Sequence, residues 1–76
     1  MTDKQQAFIN ALRENIQAGE AQLDEATQLK TFTWDSFAWV STMASIDDVY
    51  GKLVEARKLS ECSTVGDVLK LIEATP

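Results

Sequence analysis

The sequence contains no histidine and a single cysteine, Cys62. Those two shortages remove whole classes of chemistry. Without imidazole there is no Ser-His or Cys-His nucleophile pair and no histidine metal ligand. One thiol forms neither an intramolecular disulfide nor a cysteine-rich zinc site. The expectation is a non-enzymatic chain with no catalytic residues and no metal. The lone cysteine, with no signal-like leader, fits a cytoplasmic setting. No apolar run approaches membrane-spanning length, so no membrane span is expected. Lysine and arginine are absent from Thr31 through Gly51. The net charge is −5, and an acidic surface repels phosphate, which excludes nucleic acid as a partner and favours basic ones.

What is present is one small hydrophobic core. The 76 residues, 45% of them hydrophobic, make a single domain over 1–76 of modest stability. No strand alternation of useful length occurs, and the apolar spacing is helical throughout. A first helix is predicted over Met1–Gly19. Thr2 and Gln5 have capping-box spacing, Phe8, Ile9, Leu12 and Ile16 form the inner stripe, and Gly19 is the stop. Glu20–Asp35 reads as a long connection pinned by Leu23, Leu29 and Phe32, with one helical turn in Asp24–Leu29.

Ser36–Tyr50 is predicted as the second helix, ended by Gly51. Its core stripe is read as Val40, Met43, Ile46 or Asp47, and Tyr50. Asp47 and Asp48 near its end oppose the helix dipole, so surface function explains them better than stability does. A short helix over Glu55–Glu61 follows, with Val54, Leu59 and Cys62 buried. Ser63–Ala74 is the last helix. Thr64 and Asp67 suit a capping box there, and Val65, Val68, Leu69 and Ile72 form its stripe. The predicted fold is all-α: a small four-helix bundle with three main helices and one short one.

Ser36 is the residue of chemical interest. It follows an acid, Asp35, at the head of the second helix, where a hydroxyl is in most chains only a cap. Its wider register carries more. Asp35-Ser36-Phe37, then Tyr50-Gly51, then Thr64-Val65, with Trp34 in front and Leu23–Leu29 before it, resembles the acyl carrier protein family from Leu23 to Ile72. In that family the serine bears a 4′-phosphopantetheine arm derived from coenzyme A, and the arm's thiol holds cargo as a thioester.

The resemblance implies a free-standing monomeric carrier that shuttles an acyl group between biosynthetic enzymes of fatty-acid, polyketide or other specialised type. An aminoacyl or peptidyl carrier, or a diverged and unmodified interaction module, is the alternative. Ser36 is the implied attachment point. Implied partners are a phosphopantetheinyl transferase, an acyl- or aminoacyl-loading ligase, and an acyltransferase or synthase with a basic docking patch. Asp35, Phe37, Trp39, Asp47 and Asp48 are the implied docking residues. Asp35 would also help the transferase hold its metal and coenzyme A. Three departures stand out: Phe37 for the usual leucine, Ser41 where a glutamate is common, and Lys52 for isoleucine. They point away from bulk fatty-acid synthesis toward a dedicated carrier.

Overall fold

The computed structural model describes residues 2–76, and among them every regular element is helical. Four α-helices, α1 (Asp3–Asn15), α2 (Ser36–Tyr50), α3 (Ala56–Ser60) and α4 (Val65–Ala74), are joined by one long connection and two short ones. The expectation of three main helices and one short one holds. The predicted start at Met1 lies outside the described residues.

Thr2 caps α1, its Oγ1 accepting the Gln5 N–H at 3.1 Å. The Gln5 side chain returns no bond among the described residues, so only half of the predicted box forms. Phe8, Ile9, Leu12 and Ile16 are all buried, as their spacing requires. The helix ends at Asn15, well before the predicted Gly19. Gln17 takes the left-handed conformation at φ 57°, and two bonds close the end: Ala18 N–H to Arg13 O at 2.9 Å and Gln17 N–H to Glu14 O at 3.1 Å. That pair is a Schellman closure with glutamine where glycine is usual. Gly19, also left-handed at φ 63°, bends the chain after the helix has stopped.

The connection from Glu20 to Asp35 is held to the bundle by its own backbone. The Arg13 guanidinium donates to Ala21 O at 2.9 Å, and Thr33 N–H donates to Ile16 O at 2.9 Å. Asp24 Oδ1 accepts from Ala26 N–H and from the Thr27 hydroxyl, which folds Asp24–Thr27 into a turn. The helical turn predicted in Asp24–Leu29 sits later, as a 3-10 turn over Leu29–Thr31. The reason is tertiary. Val65 N–H bonds Thr27 O at 3.1 Å, Gly66 N–H bonds Glu25 O at 2.9 Å, and Leu29 N–H bonds Ser63 O at 2.9 Å. The loop carbonyls thus serve orphan donors at the start of α4, and they are unavailable for a helix of their own.

At α4 the predicted capping box is complete. Thr64 Oγ1 accepts the Asp67 N–H at 3.1 Å, and Asp67 Oδ2 accepts the Ser63 and Thr64 N–H groups at 3.0 and 3.2 Å. Val65, Val68, Leu69 and Ile72 are buried, as predicted. At the other end the Lys52 ammonium donates to Ile72 O at 3.0 Å, placing a cation at the negative end of the helix dipole on a carbonyl that also accepts the Thr75 N–H. A lysine at position 52 therefore has a structural use.

The inner stripe of α2 requires correction. Its buried residues are Ala38, Thr42 and Ile46. Val40 is 61% exposed, Met43 and Tyr50 are half-buried, and Asp47 is exposed. Apolar spacing misled here because the helix buries small and polar side chains while displaying larger ones. Ser45, half-buried, accepts from Asn15 Nδ2 at 3.0 Å and links α2 to α1. Phe8 meets Tyr50 edge-on with ring centroids 6.0 Å apart, fixing the far end of the same contact.

Candidate functional site

The site starts from a cap. Asp35 holds an extended backbone, and its Oδ1 accepts the Ala38 N–H at 3.0 Å while its carbonyl takes the Trp39 N–H at 2.9 Å. Asp35 is therefore the N-cap of α2, and Ser36 is its first helical residue. The cap that a hydroxyl at a helix start commonly supplies is here supplied by the preceding acid. The Ser36 side chain is exposed, and its hydroxyl enters no hydrogen bond among the described residues. The backbone N–H groups of Ser36 and Phe37 likewise donate to nothing among the described residues. A nucleophilic oxygen thus stands free beside two unspent donors at the positive end of a 15-residue helix.

Beside it runs an exposed face. Phe37, 84% exposed, and Val40 share it with Ser41, Ala44, Asp47 and Asp48. These positions step by three and four, so they lie on one side of the helix. Its first half is apolar and its last turn acidic, about 15 Å apart along the axis. Asp35, Phe37, Asp47 and Asp48 are all exposed. Trp39 is half-buried and packs against the core. Gly51, left-handed at φ 66°, closes the acidic end with its N–H on Asp47 O at 2.8 Å.

Three features escaped sequence reasoning. Val40 belongs to the exposed face. Leu53 is 81% exposed in the α2–α3 connection, and no signal in its neighbours marked it. Finally, among the described residues the buried side-chain polar atoms lacking a partner are Trp34 Nε1, Trp39 Nε1 and Thr42 Oγ1. Each such group costs about 1–3 kcal/mol when buried without a bond. Burial has to be known before they can be recognised.

Cys62 is buried, its Sγ contacting Lys58 O at 3.5 Å. Burial, then the negative charges of Asp67 and Glu61, push the thiol up to about 11. A thiol so protonated and enclosed is unreactive at neutral pH. Among the described residues no group of three His, Cys, Asp or Glu side chains could hold a metal ion, and no helix is long and apolar enough to cross a membrane. Comparison with protein-family models, curated proteins and solved structures finds no match to the chain.

Proposed function

We propose that the chain is a carrier of acyl-carrier type, modified on Ser36 by a 4′-phosphopantetheine arm and passing an acyl group between enzymes. The observation that carries this reading is the division of labour between Asp35 and Ser36. The acid takes the cap, and the hydroxyl is left exposed and unbonded on a rigid helix. A serine kept for stability would be spent on the backbone; this one is not.

The fit to the arm's phosphate is physical. A phosphodiester on Ser36 would face the free N–H groups of Ser36 and Phe37 and the positive end of the α2 dipole. In attachment, the Ser36 oxygen bonds to the β-phosphorus of coenzyme A. The bond from that phosphorus to the departing 3′,5′-ADP breaks, and the hydroxyl proton passes to a base on the separate transferase. The chain needs no general base of its own, in keeping with its lack of histidine. Asp35 Oδ2 takes part in no hydrogen bond among the described residues and would be available to that enzyme. Once attached, the arm supplies a terminal thiol for thioester cargo. The exposed face of α2 is the surface next to that arm: Phe37 and Val40 offer apolar contact, and Asp47 and Asp48 offer charge for a basic partner.

The state of Cys62 makes a direct test available. The untreated folded chain should show no thiol that reacts at neutral pH. After treatment with coenzyme A and a broad-specificity phosphopantetheinyl transferase, wild type should show one, and Ser36→Ala none. An unchanged wild type would argue for the second reading, an unmodified interaction module. That reading draws on the exposed Phe37 and Val40 alone. It predicts loss of partner binding in Phe37→Ser with no dependence on Ser36.

A further inference from the structure

A groove opens at the far end of α2 from Ser36, where the start of α1, the end of α2 and one side of α4 meet. Gln5, Tyr50, Lys52, Leu69, Ile72 and Glu73 line it. The 15 residues of α2 set Tyr50 about 21 Å along the helix axis from Ser36, so the groove is separate from the serine. Leu69 and Ile72, both buried, form its apolar wall. Apolar walls with a few convergent polar groups are the usual make-up of a small-molecule site, and clefts between packed helices are one of its usual places. The volume of about 210 Å³ falls short of a site for a drug-sized ligand and suits a smaller one.

Two polar groups of the groove are pinned to the bundle and still have bonding capacity left. The Tyr50 ring is set edge-on against Phe8, and its hydroxyl enters no hydrogen bond among the described residues. Burial, then the negative charge of Glu73, push that phenol above its ordinary range, so at neutral pH it keeps its proton and is a donor. The half-buried Lys52 ammonium spends one N–H on Ile72 O at 3.0 Å and enters no ion pair among the described residues. An ammonium has three donors, so two remain. An anchored cation and an anchored hydroxyl thus border one apolar wall.

We infer that this groove binds, without a covalent bond, a short monocarboxylic acid with an apolar tail. The carboxylate accepts from the Lys52 ammonium and the Tyr50 hydroxyl, in charge-assisted bonds roughly twice as strong as neutral ones. The tail covers Leu69 and Ile72. Glu73 on the same groove repels a second negative charge, which disfavours phosphate and dicarboxylates. The net charge of −5 works against any anion, so the apolar tail is needed as well as the charge. A ligand seated here bridges α1, the α2–α3 connection and α4, and it stabilises the folded chain by mass action. The inference needs neither Ser36 nor an arm upon it, and it stands apart from the carrier reading.

The probes are 4-methylpentanoate, its neutral amide 4-methylpentanamide, and inorganic phosphate, each titrated into the untreated full chain at fixed ionic strength. The readout is the backbone and methyl resonances of the chain. The acid should give saturable shifts centred on Tyr50, Lys52, Leu69 and Ile72. The amide should bind the same residues roughly tenfold more weakly, the worth of a hydrogen bond to a charged group, and phosphate should not saturate them. Tyr50→Phe keeps the ring beside Phe8 and removes the hydroxyl; it should weaken binding of the acid by roughly tenfold. Lys52→Gln keeps a donor for Ile72 O and removes the charge; it should erase the preference for acid over amide. Both variants are checked for wild-type helix content first. Equal binding of acid and amide by wild type overturns the inference, as do shifts that never saturate. Full affinity in Tyr50→Phe overturns it too, and saturation of the same residues by phosphate would reduce the groove to a general anion contact.

Discussion

The Asp35 carboxylate sits 3.0 Å from the Ala38 backbone nitrogen, and that bond relieves Ser36 of the cap. The two neighbours should therefore respond very differently to truncation. Asp35→Ala should lower stability by about 1 kcal/mol, the usual worth of an N-cap. Ser36→Ala should stay within about 0.5 kcal/mol of wild type, as for an exposed side chain that bonds nothing. Urea unfolding followed by far-ultraviolet circular dichroism measures both. A larger loss in Ser36→Ala than in Asp35→Ala would return the capping role to the serine.

Gly66 lies where the loop and the last helix touch. A Cβ there would stand 2.9 Å from Glu25 O, a backbone atom that also accepts the Gly66 N–H. Replacing a helical glycine by alanine ordinarily gains up to about 1 kcal/mol. Overpacking against backbone costs about 1–3 kcal/mol, so the clash wins. Gly66→Ala should lower the thermal midpoint, and a rise would show that the loop yields freely.

Gln17 is the mirror case. It holds φ 57° with an ordinary side chain and an exposed position. The left-handed conformation costs a non-glycine residue about 1–2 kcal/mol, while glycine costs somewhat less in lost freedom. Gln17→Gly should raise stability by about 0.5–1 kcal/mol, measured as a higher urea midpoint at unchanged slope.

Asp67 sets an acid limit. The Ser63 and Thr64 backbone N–H groups hold its carboxyl below the ordinary carboxylate range, helped by the Thr64 hydroxyl and Lys70 and opposed by partial burial. A folded pKa below the unfolded one means that the unfolded chain binds more protons as acid is added. The contribution is full above the unfolded pKa and is lost as pH falls through the folded one. The stability advantage of wild type over Asp67→Asn should thus shrink as pH falls from about 5 through and below the unfolded carboxylate pKa of about 4. A constant difference across that range would contradict the assignment.

Most of the architecture was legible where one residue type does one job. The Thr64–Asp67 box, the Gly51 stop and the stripes of α1 and α4 were all readable, because caps and wide apolar faces leave local marks. The α2 stripe was not. Its inner face is Ala38, Thr42 and Ile46, while Phe37 and Val40 look outward, and hydropathy cannot tell a core residue from a displayed one. The end of α1 was missed because Gln17, and not Gly19, takes the left-handed turn. The 3-10 turn was misplaced because carbonyls of the loop are claimed by α4, a partner some forty positions away. At the site, the register singles out Ser36 as a candidate, and its freedom from the cap is a fact of geometry.

The most direct test of the central claim is the intact mass of the chain after incubation with coenzyme A and a broad-specificity phosphopantetheinyl transferase, with Ser36→Ala alongside. A gain of one phosphopantetheine in wild type, absent in the variant, is the predicted result. A folded, helical wild type that gains nothing, or a variant that gains as much as wild type, would contradict it.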